Sequence, residues 1–515
     1  MNYHSYNHCF ESIVERYSQR MFHDIDAQIV LNSKEFKHRA HCIQDQILTF
    51  TKGKRRQLIG VTIDDSLLNV ISYFAVILSG NVYVPLSQSL TNNELLNLLK
   101  HSNISVVITD NPINISTSVL DVAKIEVLQV NCELLKKNTK DLSLLESIIN
   151  KSGDLDDEIE IFFTSGTTGA PKGVVHSQKS RILNAEEVGK FLKFGSEDNL
   201  LSFLPLTHTA SWTYVISPGF VSGSNLYLSK KFSKKNFWNI IEKYRITYVQ
   251  VVPTILMMLL NDPAQVSSEQ TKSLKFIGCG SAPLPIDVLV KFEEVFGVRV
   301  VNLYGLSETG PTHYIAPDDS KKYNASLGLP FDQCEVIIVD NQDIKCGPLE
   351  SGEILVSGPN LMKGYFLKNN GERLEVRSSF DYLYDKRWFR TGDIGVLDHE
   401  GYLYLRDRKK DIIIKGGVNI YPSEIDDILF RHPGVLEACT IGINDGIYGE
   451  EIIAYVIPRD HFFKEEDIFS FCKEKIESFK CPKKIVFIDS IPKGPTGKIL
   501  RRKLLEKYLI NNELT

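Results

Sequence analysis

Two hydrophobic rhythms alternate along the chain. Short apolar runs, VYVPL (82–86), VVITD (106–110), YVQVVP (248–253) and LKFIGCG (274–280), have the length of buried strands. Between them LTNNELLNLLKHSN (90–103) and KKNFWNIIEKYRI (234–246) repeat apolar residues three and four apart, which predicts amphipathic helices. The stretch 67–78 is apolar on every side. It falls well short of the ~20 residues a bilayer requires, so it predicts a helix buried in a core. From about residue 10 to residue 398 this alternation is the pattern of α/β layers, while 368–385 is polar and reads as a loop.

The rhythm changes after Gly401. A short strand runs into five charges at 406–410, then an isoleucine-rich strand ends in Gly416-Gly417. A helix from Ser423, strands near Ala438 and Ile452, a helix from Glu465 and a basic tail follow. The expected organisation is a large domain over 1–405, a hinge at 406–410 and a small α+β domain over 411–515.

Composition narrows the partners. With 43% hydrophobic and 24% charged residues and a net charge of −5, the 515-residue chain has no general attraction to nucleic acid or anionic membrane. Nine cysteines are scattered without a C-x-x-C pair or a zinc-like Cys/His spacing, which predicts free thiols in a reducing compartment. The N-terminal residues lack the basic start and apolar core of a secretory signal, and the last five carry no peroxisomal or lipidation signal. A cytoplasmic location with no membrane span is the expectation.

The densest chemistry lies in IFFTSGTTGAPKGVVHS (161–177). An apolar run ends at Thr164-Ser165-Gly166-Thr167-Thr168-Gly169, and Val174-Val175 follows Lys172-Gly173, so the segment reads as strand, hydroxyl-rich loop, strand. Gly166, Gly169 and Gly173 permit positive φ and close backbone approach. Four hydroxyls, several backbone N–H groups and the Lys172 ammonium converge on an anion. A Walker loop requires G-x-x-x-x-G-K-[ST]; here Pro171 precedes Lys172 and Gly173 follows it, which disfavours that class. A plain Ser/Thr-Gly turn is the bland alternative, but it has no use for so many donors. Downstream, NLYGLSETGP (302–311) sets Glu308 in a glycine-rich turn beside Tyr304 and Ser307. Glycine admits a nucleotide closely, an aromatic ring can cover adenine, and a carboxylate can hold the Mg²⁺ that accompanies triphosphate. An exposed glutamate in an ordinary turn would look the same.

The hairpin and the Asn302 motif together resemble the adenylate-forming superfamily of acyl-CoA synthetases, carrier-protein-loading adenylation domains and luciferases. Ordered segments similar to that family run from about Val82 to Lys503, including LPLTHTASW, SLGLP and GGVNIYPSEIDDIL. The resemblance implies a large adenylate-forming domain of α/β layers with a β-barrel-like subdomain, and a small mobile α+β C-terminal domain. It implies that Gly280, Ser281, Ala282 and Pro283 border the adenine and that Asn302, Tyr304, Gly305 and Ser307 belong to the nucleotide motif. Asp393 in FRTGD would accept from the ribose hydroxyls, a role that suits an acceptor-only carboxylate. Arg408 would contact ribose or phosphate, Lys410 would be the pivot of the small domain, and Lys498 in PKGPTGK would enter the site during adenylation. Lys415, Gly416 and Gly417 would flank the thiol channel.

The implied reaction is attack of a carboxylate on the α-phosphorus of ATP, giving acyl-AMP and pyrophosphate, followed by transfer to a thiol. A carboxylate with a reference pKa of about 4 is already ionised at neutral pH and needs no general base. Lys172 and the loop (Thr164 to Gly169) would hold pyrophosphate, Glu308 the Mg²⁺, and Lys498 the reacting carboxylate; His208 would mark the boundary between acyl pocket and thiol channel, near Trp212. GGVNIYPSEID resembles CoA ligases more than amino-acid activators, so CoA is favoured over a phosphopantetheinyl acyl carrier protein. The basic tail at 480–507 suits either acceptor, or is only a solvated face. No aspartate stands ready for an α-amino group and no asparagine follows His208, which favours an acid with an uncharged tail. A carrier-protein ligase and a non-catalytic nucleotide-binding homologue are the competing readings.

Overall fold

The computed structural model describes residues 3–111, 125–131, 154–164, 172–261, 266–369, 374–459, 462–494 and 499–513. Ser165, Gly166, Thr167, Thr168, Gly169 and Lys498 lie outside the described residues.

Among the described residues three sheets carry the fold. The first has eight strands, with Glu158–Thr164, Val82–Pro85, Leu58–Thr62, Val106–Thr109 and Glu126–Gln129 running parallel. Lys172–Ser177 turns back antiparallel on Glu158–Thr164, and Gly364–Asn369 and Leu374–Arg377 extend that edge. The second, of fourteen strands, is parallel through Met21–Asp24, Asn225–Leu228, Asn199–Ser202, Tyr248–Val251, Phe276–Cys279 and Val300–Leu306. Beyond Val300–Leu306 it becomes antiparallel, through Gly310–Tyr314 and Ser326–Pro330 to Leu403–Arg408, Lys386–Leu397, Gly352–Ser357 and Glu335–Val339. This antiparallel end occupies the place of the expected barrel-like subdomain. The third sheet, of five strands, belongs to the small C-terminal domain and packs the helices Pro422–Phe430 and Glu465–Lys475 over its own core. The protein is thus a large α/β domain followed by a small α+β one.

Local chemistry sets the helix ends. Thr91 and Glu94 form a capping box at the start of Asn92–Ser102, and the helix stops at Asn103 in the left-handed region. Helix Ser66–Leu78 is buried at every residue, capped by Asp65 accepting from the Leu68 amide at 2.8 Å. No described helix is long and apolar enough to cross a membrane. The eight described cysteines are free.

Three expectations shift. The polar stretch 368–385 forms much of strands Gly364–Asn369, Leu374–Arg377 and Phe380–Leu383, because its partner strands satisfy its backbone. Tyr304 and Gly305 lie in strand Val300–Leu306 and not in a loop. At the hinge, Arg406, Asp407 and Arg408 are the end of a ladder in the large domain, with Asp407 opposite Ile394 and Arg408 opposite Asp393. Lys409–Asp411 forms a 3-10 turn that follows this ladder.

One buried charge pair joins the layers. Glu160, set between Ile159 and Ile161 in strand Glu158–Thr164, has no solvent exposure and pairs with Arg181 of helix Gln178–Phe191, itself 4% exposed. Tyr73 donates to Glu160 Oε2 at 3.0 Å. Burial raises the Glu160 pKa while Arg181 opposes the rise. Breaking such a pair strands one charge, so Arg181→Met is expected to cost about 3–5 kcal/mol. The double variant with Glu160→Gln should recover part of that loss. Urea unfolding of the three proteins measures both numbers.

Candidate active site

Several expected residues follow the carboxyl ends of parallel strands. His208 comes after Asn199–Ser202, Gly280–Pro283 after Phe276–Cys279, and Ser307-Glu308 after Val300–Leu306. In open α/β sheets this end is where ligands bind, since loops there can diverge around a crevice. A register shift between Tyr304 and Gly305 re-aims the chain just before Ser307 and Glu308. Gly305 is required for space: a Cβ there would lie 2.2 Å from the Gly310 carbonyl oxygen. At Gly280 a Cβ would meet the Leu303 carbonyl oxygen at 2.9 Å, and Ser281 next to it adopts φ +69°. Ser281 and Pro283 are exposed, Ala282 half-buried, and Asn302 half-buried opposite Cys279.

The hairpin of Glu158–Thr164 and Lys172–Ser177 reaches the same place. Thr164 and Lys172 pair across its base, with the Thr164 hydroxyl donating to the Lys172 carbonyl at 3.3 Å. Gly173 has no positive φ; it is needed because a Cβ would crowd Ile161, Phe163 and Phe366 at 2.8–3.0 Å. His176, fully buried on the hairpin's second strand, lies 2.7 Å from the Ser307 carbonyl oxygen through Nε2. That nitrogen therefore carries the proton, and Nδ1 faces the Ser180 hydroxyl at 3.3 Å. Burial, with Arg181 nearby, holds the His176 pKa well below its ordinary value. The Ser307 hydroxyl is 3.3 Å from that of Thr209, which fastens the His208 loop to the same turn.

Tyr365 completes the junction. Its hydroxyl donates to Glu308 Oε1 at 2.9 Å, and the Lys172 ammonium stands 5.2 Å from its ring centroid. The Glu308 backbone is held as well, its carbonyl accepting from the Met362 amide at 2.8 Å. Glu308 Oε2 has no partner among the described residues, and no group of three His, Cys, Asp or Glu capable of holding a metal alone occurs among them. This suits Mg²⁺, which is commonly held by one or two carboxylates together with substrate phosphates.

Asp393 is 1% exposed and lies between two partners: Tyr304 donates to Oδ2 at 2.7 Å, and Arg408 Nε is 2.6 Å from Oδ1. Tyr304 is itself 8% exposed, so its visible task is to orient Asp393. Lys409 and Lys410 are both exposed, and Lys409 is paired with Glu353 at 2.8 Å. Burial lowers the pKa of His208, leaving a neutral imidazole at pH 7. Trp212 is 1% exposed, its ring tilted 30° against that of Tyr73 with centroids 4.0 Å apart, and it donates to the Leu206 carbonyl, opening a π-helical turn, Trp212–Ile216.

Lys415, Gly416 and Gly417 stand apart from the junction. Lys415 pairs with Glu451 at 2.5 Å, and Gly416-Gly417 close the Ile413–Lys415/Val418–Ile420 hairpin with φ +59° and +82°. A two-residue turn with both φ positive demands residues such as glycine, so this pair has a conformational reason of its own. His176, Thr209 and Tyr365 escaped the sequence reading. Only the HS following Val174-Val175 and the GY at 364–365 offered a signal, and neither names a partner.

The AMP-binding enzyme family matches residues 15–366, and the AMP-binding enzyme C-terminal domain matches 424–498. A probable CoA ligase of Humulus lupulus is 31% identical over 506 residues, 94% of each chain. Oxalate–CoA ligase of Arabidopsis thaliana is 32% identical over 88% of this chain and 89% of its own. The o-succinylbenzoate CoA synthetase of Bacillus subtilis, solved with ATP and magnesium ion, superposes with a TM-score of 0.83 at 27% identity, over 96% of this chain and 98% of that one. ATP-bound MatB from Rhodopseudomonas palustris, at 24% identity, shares the fold, with a TM-score of 0.87 over 98% and 99% of the two chains. The chain belongs to the AMP-binding enzyme family. It is an acid–thiol ligase of the acyl-CoA synthetase type that works with ATP, Mg²⁺ and CoA.

The buried His176 gives a signed pH dependence. An unfolded histidine binds a proton near pH 6.5, whereas the folded one resists it to lower pH. Below that pH the unfolded state binds more protons, so stability falls as pH drops. His176→Gln should flatten the stability slope between about pH 5 and 6.5 by up to about 1.4 kcal/mol per pH unit, read from denaturant melts across that range.

Proposed function

We propose that the chain's own residues divide the ligase reaction between the hairpin, the Glu308 turn and the small domain. A carboxylate oxygen of the acid attacks the α-phosphorus, the bond to the β-phosphate breaks, and pyrophosphate leaves. The thiol sulfur of CoA then attacks the acyl carbon, losing its proton, and AMP departs. Lys172 and the hydroxyls of its loop bind the departing pyrophosphate. Glu308 binds Mg²⁺, which when present offsets phosphate charge. Asp393, oriented by Tyr304 and Arg408, accepts from the ribose, and Lys498 aligns the carboxylate with the phosphorus. Preorganised charges of this kind act on the transition state without reorganisation. The observation that carries the assignment is the meeting of Lys172 and Glu308 on Tyr365, from segments far apart in sequence.

An acid with an uncharged tail is the favoured substrate: among the described residues burial alone lowers the His208 pKa, and no asparagine follows it in the sequence. Relatives named for oxalate, sulfoacetate, long-chain fatty acids and indoleacetate span this range and more. CoA is the acceptor, and an acyl carrier protein is the alternative that the basic tail would suit. The large domain ends in the ladder at Arg408, the pivot is Lys410, and the small domain turns its Lys498 face or its Gly416-Gly417 face to the site. A cytoplasmic location completes this reading.

A carboxylic-acid panel assayed for pyrophosphate and AMP, with CoA, carrier protein or neither, tests substrate and acceptor together. Orthophosphate release without AMP would overturn the assignment. Lys498→Ala is expected to slow acyl-AMP formation by at least a hundredfold, about 3 kcal/mol, while conversion of supplied acyl-AMP to thioester stays near the parent rate. Equal loss in both half-reactions would remove Lys498 from the role given to it.

A further inference from the structure

Lys172 and Glu308 carry opposite charges and converge on one side chain, yet no ion pair joins them among the described residues. The Lys172 ammonium sits over the face of Tyr365, 5.2 Å from the ring centroid, while Glu308 Oε1 accepts from that tyrosine's hydroxyl at 2.9 Å. A ring face attracts a cation and a phenol edge donates to an anion, so one residue satisfies both groups at different points. A direct lysine–glutamate bridge would neutralise each for its own ligand.

The placement of Tyr365 is built. Strand Gly364–Asn369 pairs with the hairpin strand, setting Tyr365 opposite Val174, two residues from Lys172. Just before it, the Lys363 amide donates to the Val175 carbonyl and the Met362 amide to the Glu308 carbonyl, both at 2.8 Å. Three consecutive anchors thus tie the segment to the hairpin on one side and to Glu308 on the other. The second oxygen of Glu308, Oε2, remains without a partner among the described residues.

We infer that Tyr365 is a positioning residue: it holds the Glu308 carboxylate with one oxygen presented to the metal and keeps it apart from the Lys172 ammonium reserved for phosphate. The inference rests on the reading of Glu308 as the Mg²⁺ ligand. It goes beyond that reading by assigning the separation of metal and phosphate charges to a residue outside both motifs.

Tyr365→Phe keeps the ring and removes only the hydroxyl. Calorimetric titration of ATP, with and without Mg²⁺, separates the two roles independently of turnover. The expected result for Tyr365→Phe is metal-free ATP binding within twofold of the parent and at least a fivefold loss of the tightening that Mg²⁺ brings. Glu308→Gln should show the same loss, and the double variant should lose no more than either single one. In pyrophosphate exchange, Tyr365→Phe should raise the Mg²⁺ concentration for half-maximal rate by a similar factor.

If Glu308→Gln loses the Mg²⁺ response and Tyr365→Phe keeps it, the positioning role is overturned while the Glu308 reading stands. If Glu308→Gln keeps the parent response, the reading itself falls and the inference with it. Equal weakening of metal-free and metal-dependent binding in Tyr365→Phe would show a merely structural tyrosine and overturn the proposal too.

Discussion

A carboxylate and a guanidinium shielded from water, Glu160 and Arg181, fix the geometry on which the rest of the large domain depends. Each alone would be intolerable in that position, and together they persist only with good alignment and further polar partners. Tyr73 supplies one, and Thr213 stands 3.4 Å from Arg181. The helix that carries Arg181 touches strand Lys172–Ser177 of one sheet and Gly310–Tyr314 of the other. Fixing that helix fixes the two layers relative to each other.

The consequences run outward through short contacts. The same helix carries Asn184, which donates to the Asn360 carbonyl at 3.2 Å, and Asn360 in turn donates to the Thr309 carbonyl at 3.0 Å, next to Glu308. The helix begins directly after the hairpin strand, so His176 and Lys172 are placed by the same packing. The turn bearing Ser307 and Glu308 is therefore held from the His176 side, the Asn360 side and the Tyr365 side. A site that must orient several phosphate oxygens gains from such support, because small displacements of positioned charges forfeit much of their effect.

Charge is handled differently at the edge of the large domain. Asp393 and Arg408 face each other across a ladder, and Glu353 holds Lys409 one residue later. Asp393, Arg408, Glu353 and Lys409 are thus tied to the fourteen-stranded sheet, whereas Asp407 accepts from the Ser423 amide of helix Pro422–Phe430 at 2.8 Å. Asp393 and the chain leading into the small domain are neighbours on one strand pair.

Much of this was legible before folding. Strands at 82–86, 106–110, 248–253 and 274–280, the buried helix at 67–78 and the amphipathic helix within 90–103 follow from periodicity, which acts over a few residues. Lys172 and Glu308 stood out because glycines, hydroxyls and charges clustered locally, whereas Asp393 and Arg408 stood out only through the family resemblance. The strand character of 368–385 and of 406–408 was not legible, since polar edge segments become strands only when a partner supplies hydrogen bonds. Trp212 looked available to substrate and turned inward, because a neighbouring Tyr73 from a distant helix offered it a face. The sequence by itself determined the buried strands and amphipathic helices and the local clusters of charge, hydroxyl and glycine. The tertiary structure alone decided their pairing: Tyr365 with Glu308, His176 with Ser307 and Tyr304 with Asp393 are 57, 131 and 89 residues apart, and contacts at such separations arise from packing, which local pattern does not encode.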